Sequence, residues 1–170
     1  ALMVLEHQSQ MHNAITRASY EARQAAHYDV IWNKILEKPE GHVHEVSQRR
    51  LQRAAEELVE CLLFSGEYQL ESPVVGTSKF AAEFLKLGPR DKQGRSLRDF
   101  DLETRLFKYP CSYLVYSESF AALPDSVRTI IDRRLDEILS GQDRSEAFAH
   151  LSDQDREAIR EILDETLDSH

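Results

Sequence analysis

The chain has 170 residues, of which 41% are hydrophobic and 30% are charged, a balance typical of a globular domain that can bury its own core. A formal net charge of −9 at pH 7 argues against nucleic acid or an anionic membrane surface as a partner, because like charges repel. The chain has no run of about 18 apolar residues, so no membrane span is predicted. With only six glycines and five prolines, the composition favours helix.

Two long neighbouring helices are predicted in the first third of the chain. The first should extend from Val4 to Leu36, because apolar residues recur seven apart in two adjacent rows. One row is Val4, Met11, Ala18, Ala25 and Trp32, and the other is Ile15, Ala22 and Leu36. Pro39 and Gly41 end this pattern. The second helix should extend from about Val46 to Ser65, before Gly66, and lie antiparallel to the first.

The middle of the chain should combine short helices with a long charged loop. Thr77 or Ser78 can cap a short helix that ends at Gly88. The charged loop "GPRDKQGRSLRDFD" follows and leads into a short helix predicted to end at Leu106. The stretch "YPCSYLVYS" is aromatic and apolar like a strand, but it is isolated, so we expect a loop or a short helix there.

Two further long helices are predicted near the C-terminus. Pro124 opens the first, which ends at Gly141. Ser152 and Asp155 form a variant of the capping box that opens the last helix, whose buried stripe should include Ile159 and Ile162. We therefore predict an all-α bundle of about four long helices, plus short helices and a long charged loop, as a single domain over residues 1–170. Helix-like sequence from Ala1, with no initiator methionine, predicts that it is the C-terminal part of a longer protein.

Two histidines and a methionine occur close together in "LEHQSQMHN", residues 5–13. His7 and Met11 are four apart and share the buried face of the first helix, and His12 lies at its flank. Imidazole and thioether groups are the common axial donors to haem iron, so His7, Met11 and His12 are candidate haem ligands. The alternative is that Met11 fills the core and each histidine makes a hydrogen bond at its edge. The chain has no Cys-x-x-Cys-His sequence, so a covalent haem would need a segment outside it.

Other candidate sites are less specific. His42 and His44 in "GHVHE" could bind zinc or copper, but no third ligand is evident, and a polar loop is the alternative. Four arginines of the charged loop, taken through "LETR" to residue 105 (Arg90, Arg95, Arg98 and Arg105), could bind carboxylates or haem propionates, or could pair with the loop's own acids. No hydrolase signature occurs, so an enzyme acting on a small substrate is the least supported function.

Three stretches of the chain carry a resemblance to a known group: "VLEHQSQMHN", "GPRDKQGRSLRDFDLETRLFKYPCSYLVYSESFAALP" and "AHLSDQDREAIREIL". They resemble the C-terminal part of uncharacterised, secreted bacterial proteins related to c-type cytochromes, over almost the whole chain. Members of that group look like proteins with a haem-attachment segment in their N-terminal portion. The resemblance implies a periplasmic or secreted, cytochrome-associated helical domain that serves electron transfer, packs beside haem c or docks a redox partner.

The resemblance also implies that the partner is a redox protein or the remainder of the same polypeptide, and that His7, Met11 or His12 lies nearest the iron. An oxidising compartment would favour a disulfide between Cys61 and Cys111. The competing interpretation is an interaction or scaffold domain that has no cofactor and no catalytic activity, in which these residues are structural.

Overall fold

The computed structural model describes residues 1–167 and confirms the all-α prediction, with helix over 58% of the chain. The α-helices in chain order are α1 (Leu2–Ile35), α2 (Glu45–Leu62), α3 (Phe80–Phe84), α4 (Glu118–Ala121), α5 (Asp125–Leu139) and α6 (Asp153–Thr166). Two 3₁₀ turns, Tyr113–Tyr116 and Glu146–Phe148, supplement them. The described residues contain no strand, and one isolated bridge joins Phe100 to Phe107. α1, α2, α5 and α6 are the four long helices that were predicted.

The core forms between α1 and α2 and continues through α5 to α6. The first half of α1 buries Val4, Met11 and Ile15, and then Ala18, Ala22 and Ala25 follow in the same row. Because alanine is small, the α2 backbone can approach α1 closely there, and the α2 residues Ala54, Ala55 and Leu58 fill the contact. The N-terminal half of α1 therefore packs as the heptad rows predicted.

The second half of α1 departs from the prediction. Trp32 and Leu36, which were expected in the buried rows, are 48% and 51% exposed. Asp29 and Asn33 occupy the inward positions instead and are only 7% exposed each. These two polar side chains hydrogen-bond to the segment that opens α2. Because their polar groups have partners there, they can be buried without a large loss of free energy. The apolar side chains of this half consequently face solvent.

The middle segment contains one further correction. The short helix expected to end at Leu106 is absent, because the carboxylate of Asp101 accepts hydrogen bonds from the backbone N–H groups of Glu103 and Thr104 and closes a turn. The aromatic stretch that follows forms the 3₁₀ turn Tyr113–Tyr116, in which the Ser112 side chain accepts a hydrogen bond from the Leu114 backbone N–H. The capping box predicted at α6 is confirmed, with both Ser152 and Asp155 accepting the expected backbone hydrogen bonds.

Both cysteines are free thiols, Cys61 half-buried and Cys111 fully buried, so the disulfide expected for an oxidising compartment is not formed in this structure. Among residues 1–167, none of the helices combines the length and apolarity needed to cross a bilayer.

Candidate functional site

His7 lies in the core between α1 and the 3₁₀ turn. Its Nε2 is 2.7 Å from the Ser112 hydroxyl, and its ring stacks on Phe64 with centroids 4.2 Å apart. The side chain is 6% exposed, and this burial lowers the pKa of His7 from its ordinary value to about 4. His7 is therefore neutral near pH 7, and one of its two nitrogens already has a hydrogen-bond partner.

Met11 and His12 do not join His7 in a ligand set. Met11 is completely buried on the same face, in the core between α1 and its neighbours. His12 is exposed on the solvent side of the helix. The three side chains lie in a hydrogen-bonded core position, a packed core position and solvent, so they do not form one ligand set in this arrangement. Ligation of a haem iron by one of them stays a prediction.

A cleft of about 300 Å³ opens beside His7, between the start of α1 and the loop after α2. Cys61, Phe64 and Glu67 line it together with apolar side chains. Burial raises the pKa of the Cys61 thiol and of the Glu67 carboxyl, which keeps the thiol protonated and unreactive near neutral pH. The residues 1–167 contain no group of three or more His, Cys, Asp or Glu side chains that could hold a metal ion. This cleft therefore offers neither an activated nucleophile nor a metal site.

His42 and His44 lie where α1 and α2 meet, with ring centroids 4.9 Å apart. His44 Nε2 is 2.8 Å from Asn33 Oδ1 and donates to it, while Asn33 Nδ2 donates to the His42 carbonyl oxygen at 2.8 Å. His44 is also the N-cap residue of α2. These bonds describe a loop tied to α1, and the described part of the chain supplies no third ligand for zinc or copper.

The second half of α1 carries a row of exposed apolar side chains, which we call the outer face and which Gln24 interrupts between Tyr20 and Tyr28. It consists of Tyr20, Tyr28, Ile31, Trp32 and Ile35, exposed by 58%, 45%, 40%, 48% and 61%. At 100° per residue these side chains fall within about 120° of arc, on the side of the helix away from the buried row. Their spacing of three, four and seven is that of a helix face that packs against another helix.

Buried polar contacts fix the rotation of α1 and so keep the outer face in solvent. Asp29 Oδ1 accepts hydrogen bonds from Ser47 Oγ at 2.7 Å and from the His44 backbone N–H at 3.3 Å. Asn33 makes the two bonds to the His42–His44 loop described above. Turning the helix to bury Ile31 or Ile35 would break these bonds and leave polar groups unsatisfied, at about 1–3 kcal/mol for each group.

Sequence reasoning missed the outer face. The signal was present, because Tyr28, Ile31, Trp32 and Ile35 have the i, i+3, i+4, i+7 spacing of a second apolar stripe. It was obscured because Trp32 and Leu36 also continue the heptad rows of the first half, so a single buried stripe accounted for both halves of the helix.

No protein-family model, characterised relative or solved structure matches this chain.

Proposed function

We propose that this chain is an interaction domain, and that the outer face of α1 binds a second copy of the chain in an antiparallel helix pair. The observation that carries the proposal is the set of large apolar side chains held in solvent at helix-packing spacing. Contiguous apolar patches of this kind usually mark protein–protein contacts, and the polar anchor at Asp29 and Asn33 prevents the helix from burying them internally.

The exposed apolar area supplies the larger part of what a helix-mediated dimer requires. A fully exposed large side chain presents about 200 Å², so the five side chains of the outer face present on the order of 500 Å², and polar side chains at the rim would add to this towards the roughly 800 Å² per partner of a standard interface. The whole chain exposes 10,487 Å², whereas a compact monomer of 19.6 kDa is expected to expose about 8,600 Å². The surplus is consistent with a surface that is covered in the assembled state.

Charge and shape favour a second copy as the occupant. Residues 20–40 contain four acids and three bases, a net charge of −1, although the whole chain carries −9. Two copies can therefore approach here with little repulsion. The outer face is centred near Tyr28, so a two-fold axis at that residue places Ile35 of the second copy opposite position 21. A hollow of about 320 Å³ lies on the same part of α1, lined by Tyr20, Arg23, Gln24, His27 and Tyr28, and can receive the side chain.

Sedimentation equilibrium of the purified chain over a wide concentration range tests this proposal. We expect a mass near 39 kDa, twice the 19.6 kDa of one chain. Ile35→Glu should raise the dimer dissociation constant at least about 30-fold, because it buries an unpaired charge within the contact. Leu5→Glu is the matched control, because Leu5 is an equally exposed apolar residue (58%) of the same helix outside the outer face. A wild-type chain that stays monomeric at every concentration would reject the dimer.

The cytochrome-associated function that the resemblance implies, with its haem c, redox partner and periplasmic or secreted location, stays a prediction. Oxidised and dithionite-reduced absorption spectra of the longest natural form of the protein test it. A haem spectrum that is altered by His7→Gln and unaffected by His12→Gln would support ligation by His7. A protein without a Soret band would leave the interaction domain as the better account.

A further inference from the structure

Arg98 differs from the other arginines of the charged loop in having no carboxylate partner. Arg90 pairs with Asp99 at 3.0 Å, Arg95 pairs with Asp91 at 2.5 Å, and Arg105 pairs with Asp155 at 2.5 Å. The Arg98 side chain makes no ion pair or hydrogen bond with any residue in 1–167. The lack of a carboxylate partner stands out because the chain has 30 acidic and 21 basic residues, so carboxylates outnumber the cations that could pair with them.

Packing holds the Arg98 guanidinium in a defined position. Its central carbon lies 4.6 Å from the centroid of the Phe84 ring and 4.0 Å from that of the Tyr113 ring, so both rings make cation–π contacts with it. Gly88 lies on a further side with φ +82°, and a Cβ there would come within 2.9 Å of Arg98 Nε. The guanidinium end of the side chain therefore packs against two rings and a glycine, and this packing keeps Arg98 from reaching an acid elsewhere on the surface.

The electrostatic cost of this position is not offset by another charge. Arg98 is half-buried, and its Nε is completely buried without a hydrogen-bond partner. Burial lowers the pKa of Arg98, and the effect that opposes it comes from Tyr113 rather than from a carboxylate. An arginine nevertheless stays protonated in proteins, so the fold maintains a preorganised positive charge whose fork of donors is not used within the described residues.

We propose that Arg98, packed against Phe84 and Tyr113, is a binding site for an oxyanion, a carboxylate or phosphate group of a ligand. The planar fork of a guanidinium matches two oxygens of such a group. The two ring centroids lie only 5.1 Å apart, so both rings cover the same side of the guanidinium, and because Nε is buried, the two terminal nitrogens are the donors that a ligand would meet. The Tyr113 hydroxyl is likewise buried without a hydrogen-bond partner among residues 1–167. The site is independent of the outer face of α1.

The direct test is the side-chain Nε–H resonance of Arg98 in a proton–nitrogen correlation spectrum of the whole chain. The wild-type protein is titrated with inorganic phosphate and, separately, with acetate, while sodium chloride holds the ionic strength constant. We expect the Arg98 resonance to shift saturably, at lower anion concentration than the resonance of Arg90, which already has Asp99 as a partner. A shift with phosphate alone assigns a phosphate group, and a shift with acetate alone assigns a carboxylate.

Arg98→Lys assigns the resonance and tests the fork, because lysine keeps the charge and lacks paired donors. It should weaken anion binding about tenfold, whereas the control Arg90→Lys should leave it unchanged. If Arg98→Lys does not fold, contacts to the ring protons of Phe84 and Tyr113 assign the wild-type resonance instead. An Arg98 resonance that does not move with either anion, or that moves only in parallel with that of Arg90, overturns the proposal.

Discussion

Replacing His7 with glutamine should remove a specific part of the pH dependence of stability. His7 is buried, neutral and hydrogen-bonded to Ser112 in the folded chain, where its pKa is about 4. In the unfolded chain the same imidazole returns to a pKa of about 6.5. Because the unfolded state binds a proton at a pH where the folded state does not, acidification favours unfolding.

The sign and size of this effect follow from the two pKa values. The stability that neutral His7 contributes is fully present above about pH 6.5, and it is lost as the pH falls from there towards pH 4. Between about pH 7.5 and pH 5 the loss amounts to about 2 kcal/mol, of about 3 kcal/mol in total. The lowered pKa values of Asp143 and Asp155 matter little in this window, because unfolded aspartates titrate near pH 4.

Urea denaturation at the two pH values measures the effect. The difference in unfolding free energy between wild type and His7→Gln should shrink by about 2 kcal/mol at the lower pH. His12→Gln is the matched control, since His12 is exposed on the same helix, and its difference from wild type should not change between the two pH values. If the His7→Gln difference were equal at both pH values, the argument that His7 is held neutral by burial would be refuted.

The remaining predictions concern stability and are measured by chemical denaturation with circular dichroism. Leu58→Ala should lower the unfolding free energy by about 2–5 kcal/mol, because Leu58 is fully buried in the core; a loss below about 1 kcal/mol would contradict that packing. Ser152→Ala should cost about 1 kcal/mol by removing the cap of α6, whereas Ser9→Ala, at an exposed position within α1, should cost little. Asp29→Ala should cost about 1–3 kcal/mol, because Ser47 and the His44 N–H lose their acceptor; an unchanged midpoint would show that the anchor does not hold α1.

Periodicity and capping determined most of the fold. The heptad rows from Val4 to Ala25, the stripe of α6 and the Ser152 capping box depend on neighbours within a turn or two of helix, and such local relations can be read from a sequence. The partners of the loop arginines were harder to predict. Alternating charges predicted ion pairs within the loop, but two of the pairs connect the loop to α6: Arg95 with Glu161, and Arg105 with Asp155. These partners lie more than 45 positions away along the chain.

Only the tertiary structure decided which side of the second half of α1 faces the core. The heptad rows predicted that Trp32 and Leu36 lie inside. The anchor between Asp29, Asn33 and the segment His42–Ser47 reversed this, because buried polar groups with good partners hold the helix in one rotation. Arg98 lacks an acidic partner for a similar reason, since Phe84 and Gly88 from one segment and Tyr113 from another pack against it. Periodicity and capping within a few residues therefore specified the helices. Contacts between residues far apart in the chain left the side chains of the outer face in solvent and, among residues 1–167, left Arg98 without an acidic partner.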